Sequence, residues 1–188
     1  MNKPLVFSDF DGVFNTFVSR NKYNKHNDTF GHHRRGDVFD GRREYSVNWS
    51  AELVRKFNTA KDTYSFDVLW LSTWRSLLVT KVDKLIGTHS DGFIDWDADS
   101  GLPNRWSANV DAIVSDIRST RKYAALLDTL RSNPRPFVWV DDEATVKYNP
   151  ADFVGVLDVP HLVMATDENY GLLRSDLDTL TAFFDGLA

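Results

Sequence analysis

The chain has 188 residues, a formal net charge of −5 and no cysteine. That length supports one core with room for an insertion. The missing cysteines exclude disulfides, thiolate zinc sites and a Cys nucleophile, and the negative charge argues against a surface that binds nucleic acid all over, though not against a local basic patch.

Pro4 to Ser8 is a short apolar run that reads as a buried strand, and it leads straight into Asp9-Phe10-Asp11-Gly12. Because Asp9 interrupts this run, it does not read as a signal peptide. No apolar stretch approaches the roughly 20 residues that span a bilayer. A cytoplasmic protein without a membrane partner is the expectation. From Phe14 to about Tyr45 the chain is polar, dotted with glycine and weakly periodic, and seven Lys or Arg face four acids there. A stretch of this length between a strand and a helix is either a mobile loop or a functional element. We expect residues 17–48 to form a small basic cap insertion within a single domain spanning 1–188.

Ser50 is placed to cap a helix over "SAELVRKFNTAKD", with Leu53 and Phe57 on one face. "FDVLWLS" reads as a second strand, "RSLLVTKVDKLIG" as a helix ending at Gly87, and "GFIDW" as a short strand. "SANVDAIVSDIRS" and "KYAALLDTLRS" are helical and nearly contiguous, stopped by Asn133-Pro134. "PFVWV" is a strand entering Asp141-Asp142, "HLVMA" is another, and the segment from Gly171 onward is a helix with Leu173, Leu177, Leu180 and Phe184 at helical spacing. Strands alternating with helices predict an α/β, doubly wound, Rossmann-like and mostly parallel sheet.

Open α/β sheets bind ligands outside the carboxyl ends of their strands. Three predicted strands end in reactive residues: Asp9 and Asp11, Ser72 and Thr73, Asp141 and Asp142. A parallel sheet gathers these on one edge, where four carboxylates repel one another. A hard divalent cation such as Mg²⁺ relieves that repulsion and takes oxygen ligands from carboxylates and phosphate. Other features point to less. "DWDADSG" resembles a calcium loop at Asp95, Asp97 and Asp99, but Ser100 stands where its glycine belongs and Trp106 where its bidentate Glu belongs. His32-His33 lacks further ligands nearby in sequence, and no GxxxxGK accompanies the site.

The apolar strand followed by DxDG, the strand ending in Ser72, Lys122 at the start of "RKYAALLDTL" and the strand ending in Asp141-Asp142 together resemble the four motifs of the haloacid dehalogenase-like (HAD) superfamily. "LWLSTW", "RPFVWVDDE" and the late "YGLL" resemble more narrowly the HAD domains of Swiss Army Knife RNA-repair proteins and related bacterial and phage proteins. The resemblance implies that Asp9 is a nucleophile forming an aspartyl-phosphate and Asp11 the general acid and base. It implies Ser72 and Lys122 as holders of the phosphoryl group. Mg²⁺ would sit on Asp9, the Asp11 carbonyl and Asp142, with Asp141 orienting. Gly12 permits the turn after the motif, and an extended chain there would put Asp9 and Asp11 on one side.

Around this centre, Thr73 and Trp74 follow Ser72 closely enough to wall the pocket, and Trp74 can stack on a base. Arg34, Arg35, Arg42 and Arg43 form paired forks suited to phosphate oxygens. An Asp two residues after the nucleophile favours a phosphatase over a dehalogenase or a transport ATPase. The expected function is thus Mg²⁺-dependent phosphomonoester hydrolysis, on a phosphorylated small molecule such as a nucleotide or on a nucleic-acid end. The alternatives are a HAD-like nucleic-acid or protein binding module with little turnover, and a phosphotransferase.

Overall fold

The computed structural model describes residues 3–95, 111–144 and 158–187, with backbone alone for 111–120. The Asp97 and Asp99 loop, Trp106 and the first residues of "SANVDAIVSDIRS" lie outside the described residues. In chain order the elements are β1 (Leu5–Ser8), α1 (Arg20–Lys25), β2 (His33–Phe39), β3 (Glu44–Ser50), α2 (Ala51–Tyr64) and β4 (Asp67–Trp70). A π-helical segment (Leu78–Val82) then continues into α3 (Asp83–Ile86), followed by β5 (Gly92–Phe93), α4 (Asp111–Ser132), β6 (Phe137–Asp141), β7 (His161–Ala165) and α5 (Arg174–Asp185).

The helix ends follow from the sequence signals. The Ser50 hydroxyl accepts the Leu53 N–H at 3.1 Å and starts α2. Gly87, at φ +87°, closes α3. α5 begins later than its apolar pattern predicts. Gly171 adopts φ +68° and comes so close to the Val13 carbonyl that no Cβ fits between them. Leu172 is then fully buried, with its N–H on the Val13 carbonyl at 2.9 Å. Leu173 is the N-cap, its N–H accepted by the Asp176 carboxylate at 2.9 Å, and Leu177, Leu180 and Phe184 alone form the buried stripe.

The main sheet has the order β5-β4-β1-β6-β7, and every pair is parallel. β1 lies at its centre and is buried on both faces, as a parallel strand between helical layers must be. Alternation along β1 divides the core. Val6 joins Val68, Val138, Phe57, Leu180 and Phe184 on the side of α2 and α5. Leu5 and Phe7 join Trp139, Leu126 and Leu130 on the side of α4. Each such side chain contributes about 1.5–3 kcal/mol of burial. The chain builds outward from β1 to β4 and β5, then returns to add β6 and β7 on the other flank. The switch point therefore falls beside β1, where open α/β sheets form their crevice.

The polar insertion folds as α1 and an antiparallel hairpin of β2 and β3. Its period of two is hard to read because β2, HRRGDVF, turns only Val38 and Gly36 toward the core on its inner face. A Cβ at Gly36 would meet Leu85 Cδ1 at 3.0 Å, so that side chain packs closely over the strand here. Arg174 of α5 fastens the insertion: its Nε donates to the Thr29 carbonyl at 3.0 Å and its Nη2 to Glu52 Oε1 at 3.2 Å. Glu52 Oε2 in turn accepts the Gly31 N–H at 2.7 Å. Among the described residues no helix is long and apolar enough to cross a membrane.

Candidate active site

Register places the motif residues side by side. Ser8 pairs with Trp70 on one flank and with Val140 on the other. Asp9, one step further, donates its N–H to the Val140 carbonyl at 2.9 Å and so stands level with Asp141, the last residue of β6. Lys122 comes from α4. It precedes Leu126 and Leu130 at four-residue spacing, so the stripe that packs α4 on the sheet also aims Lys122 at the strand ends.

Lys122 is 6% exposed and donates from Nζ to Asp9 Oδ2 and, at 3.0 Å, to Asp141 Oδ2. Burial opposes its charge, but the two carboxylates outweigh burial and hold its pKa above the ordinary lysine value. Asp9 Oδ1 also accepts the Phe10 N–H at 2.6 Å. Asp141 is fully buried, and its Oδ1 accepts the Glu143 N–H at 3.0 Å. Asp9, Asp141 and Asp142 each offer a carboxylate oxygen within 4.8 Å of the others. Burial, helped by the Asp9 charge and against the opposing pull of Lys122, pushes the Asp141 carboxyl up to about 6. Burial and the neighbouring Asp9 and Asp141 push Asp142 up to about 7. One ammonium is too little positive charge for three crowded carboxylates. An all-oxygen donor set with this excess of negative charge fits a hard divalent cation such as Mg²⁺.

Asp11 is held apart from that cluster. The chain leaves the extended conformation after Ser8, because the N–H groups of Val13, Phe14 and Asn15 all turn back onto the Phe10 carbonyl. The expected same-side placement of Asp9 and Asp11 by extension therefore does not apply. Instead Asn15 Nδ2 donates to Asp11 Oδ1 at 2.6 Å, and Trp74 Nε1 donates to Asp11 Oδ2 at 2.8 Å. Burial raises the Asp11 pKa against the opposing pull of these two donors. Asn15 is itself oriented, since its Oδ1 accepts the Asn48 N–H from β3 at 2.8 Å. Sequence reasoning missed Asn15; its one signal was an amide in the otherwise apolar run "GVFN".

Gly12 adopts φ +68°, with Asp142 packed directly on its α-carbon side, and its carbonyl accepts the Thr166 hydroxyl at 2.5 Å. Ser72, beyond the end of β4, is 1% exposed, and its hydroxyl has no hydrogen-bond partner among the described residues. Thr73 next to it is exposed. Trp74 packs edge-on against Phe10 at 5.2 Å and at a tilt against Tyr45 of the insertion at 5.2 Å.

The four arginines separate. Arg42 and Arg43 sit at the hairpin turn, where their N–H groups bind Asp40 Oδ1 at 2.7 and 2.8 Å. The Arg43 guanidinium lies 4.5 Å over the Tyr45 ring, which joins it to Trp74. Arg34 and Arg35 stand at the other end of the hairpin. Arg35 Nη2 donates to the Ser46 hydroxyl at 2.8 Å. The two histidines diverge as well. His33 is buried with its Nε2 on Thr16 Oγ1 at 3.0 Å, whereas His32 is exposed.

A comparison with curated proteins found no match to the chain. The model of the HAD domain in Swiss Army Knife RNA repair proteins matches residues 5–177. That span runs from the first residue of β1 into α5 and takes in every residue of the Asp9, Lys122 and Asp141 cluster, so the chain belongs to this HAD domain family.

Proposed function

We propose that the chain is a Mg²⁺-dependent phosphomonoester hydrolase that acts through an aspartyl-phosphate on Asp9. HAD membership suggests phosphatase-type or related chemistry. The observation that carries the reading is the set of three facing carboxylates, two of them, Asp9 and Asp141, bridged by the buried Lys122, beside a buried Ser72 hydroxyl with an open hydrogen-bond valence. A phosphoryl group entering there would meet a carboxylate, an ammonium and a hydroxyl.

In the first step an Asp9 carboxylate oxygen attacks phosphorus in line, and the bond from phosphorus to the leaving oxygen breaks. Asp11 gives that oxygen its proton. In the second step water attacks the aspartyl-phosphate, Asp11 takes the water's proton, and the bond between phosphorus and the Asp9 oxygen breaks to release phosphate. Asn15 and Trp74 hold the Asp11 carboxyl in one orientation through both transfers. Lys122 and Ser72 bind the oxygens of the transferred group. Asp9 and Asp142, together with the Asp11 carbonyl, would hold Mg²⁺, and Asp141 orients Lys122 between itself and Asp9. Mg²⁺ supplies neutralisation of the charge that develops on the phosphoryl oxygens. The substrate is a nucleotide or a nucleic-acid terminal phosphate, a reading supported by the basic insertion next to the site.

Phosphate release from p-nitrophenyl phosphate, nucleotides and 3′- or 5′-phosphorylated oligonucleotides, in Mg²⁺ and in EDTA, tests the proposal. Release that needs Mg²⁺ and vanishes in Asp9→Asn, with an unchanged circular dichroism spectrum, is expected. Undiminished release by Asp9→Asn would remove Asp9 as the nucleophile.

A further inference from the structure

The insertion carries a groove of about 800 Å³ whose walls include Arg20, His33, Arg34, Arg35, Asn48 and Trp49. We infer that this groove is a phosphate-binding subsite for phosphates of the substrate beyond the one transferred. The inference rests on the hydrolase reading above and deepens it.

Charge is the first argument. The groove's lining contains three arginines and neither Asp nor Glu, in a protein whose formal charge is −5. Arg20 and Arg34 make no hydrogen bond or ion pair among the described residues, and Arg35 binds the Ser46 hydroxyl, which in turn donates to Asp37 Oδ1 at 2.7 Å. The contrast with the hairpin turn is informative. There the Asp40 carboxyl, held down to about 2 mainly by the Arg43 and Arg42 N–H groups, stands beside Arg42 and Arg43 and offsets their charge. Guanidinium groups without a carboxylate partner are suited to bidentate binding of phosphate oxygens. His33 also lines the groove, and burial first, and then the Arg20 charge, lowers its pKa.

Position is the second argument. A short run of hydrogen bonds links the groove to the candidate active site. Asn48 lines the groove, its N–H donates to Asn15 Oδ1 at 2.8 Å, and Asn15 Nδ2 donates to Asp11 Oδ1 at 2.6 Å. His33 reaches Asn48 through Thr16, which holds His33 Nε2 at 3.0 Å and donates its N–H to the Asn48 carbonyl at 2.8 Å. The inference places in this groove the further phosphates of a ligand whose one phosphate meets Asp9. Two sources share this chemistry: the phosphodiester backbone of a nucleic-acid strand and the polyphosphate tail of a nucleotide. The four arginines singled out in the sequence then do different work, with Arg34 and Arg35 joined by Arg20 in binding and Arg43 stacked at the turn.

Binding measured in EDTA, without turnover, tests the groove independently of catalysis. The probes are a fluorescent short single-stranded oligonucleotide with a terminal phosphate and a fluorescent nucleoside triphosphate, read by anisotropy across a salt series. Arg20→Ala and Arg34→Ala should each weaken binding roughly tenfold, and for the strand the slope of log affinity against log salt should flatten by about 0.7 for each phosphate no longer neutralised. Arg55→Ala, an exposed arginine of α2, is the control and should change neither. Loss confined to the oligonucleotide assigns the groove to a strand backbone, and loss for both probes assigns it to closely spaced phosphates. An Arg20/Arg34/Arg35 triple alanine variant that keeps wild-type affinity and salt slope for both probes, or a loss matched by Arg55→Ala, overturns the inference. Failure of the hydrolase reading would show differently, as no phosphate release from any substrate by a protein that still binds through the groove.

Discussion

Replacing Gly12 with alanine separates the backbone role of this position from its role in the site. Gly12 has φ +68°, where a side chain costs about 1–2 kcal/mol. The added Cβ would stand 2.6 Å from Asp142 Cγ and Oδ2 and 2.7 Å from Asp142 Cβ. Because Asp142 Cβ itself is too close, turning the carboxylate about its side-chain torsion does not clear the overlap, and residue 142 must shift. Its carboxylate oxygen would leave the set that now lies within 4.8 Å of Asp9 and Asp141. The strain alone predicts a fall in Tm of about 2–8 °C for a chain of this size. The displacement predicts a further loss of about a hundredfold in kcat and a higher Mg²⁺ requirement. Gly87→Ala isolates the first effect, since Gly87 has φ +87° and nothing within 4 Å of a Cβ. Melting followed by circular dichroism, with phosphate release titrated against Mg²⁺, reads both. A Gly12→Ala enzyme that loses Tm as Gly87→Ala does, yet keeps the wild-type rate and Mg²⁺ dependence, would show that Asp142 has no part in metal binding.

The remaining predictions follow from the same geometry. EDTA should abolish phosphate release and Mg²⁺ restore it, while Ca²⁺, larger and with more ligands, inhibits. Asp142→Ala should raise the Mg²⁺ requirement more than Asp141→Ala, whereas Asp141→Ala should cost about 1–3 kcal/mol of stability by removing a buried partner of Lys122; metal titrations and melts that rank the two the other way would exchange their roles. Asn15→Ala should lower kcat about tenfold with KM little changed, because it frees the Asp11 carboxyl without touching bound substrate; an effect on KM alone would place Asn15 in binding. Glu52, whose carboxyl the Gly31 N–H chiefly and Arg174 further hold below 4.5, adds stability that is full above that pH and lost as pH falls through the lowered value. Glu52→Gln should therefore melt a few degrees lower at neutral pH, equivalent to about 1 kcal/mol, and the gap to wild type should close in acid; a gap constant with pH refutes the assignment.

What local sequence determines in this protein is the set of elements whose signals lie within one segment. The Ser50 cap, the Gly87 stop and the apolar runs of β1, β4, β6 and β7 were legible because each buries a face by a short-range pattern. The order of acids and hydroxyl at strand ends was legible too, since a parallel sheet has one carboxyl edge, and so was the lysine on the helix that precedes β6. The hairpin of the insertion was not, because its buried side is only Val38, Val47 and Trp49 among charged neighbours, and those three find apolar partners only in distant segments. Nor was the start of α5, which waits on the approach of Gly171 to Val13, nor the orientation of Asp11, which depends on Asn15 four residues on and Trp74 sixty-three residues away. The separation of Arg34 and Arg35 from Arg42 and Arg43 is likewise a product of strand register, since pairing His33 with Ser50 and Phe39 with Glu44 sends the two pairs to opposite ends of one hairpin. Residue type and spacing name the groups that can act on a phosphate. Which of them meet is decided by register and packing, because an approach between segments far apart in the chain has no signature in either segment alone.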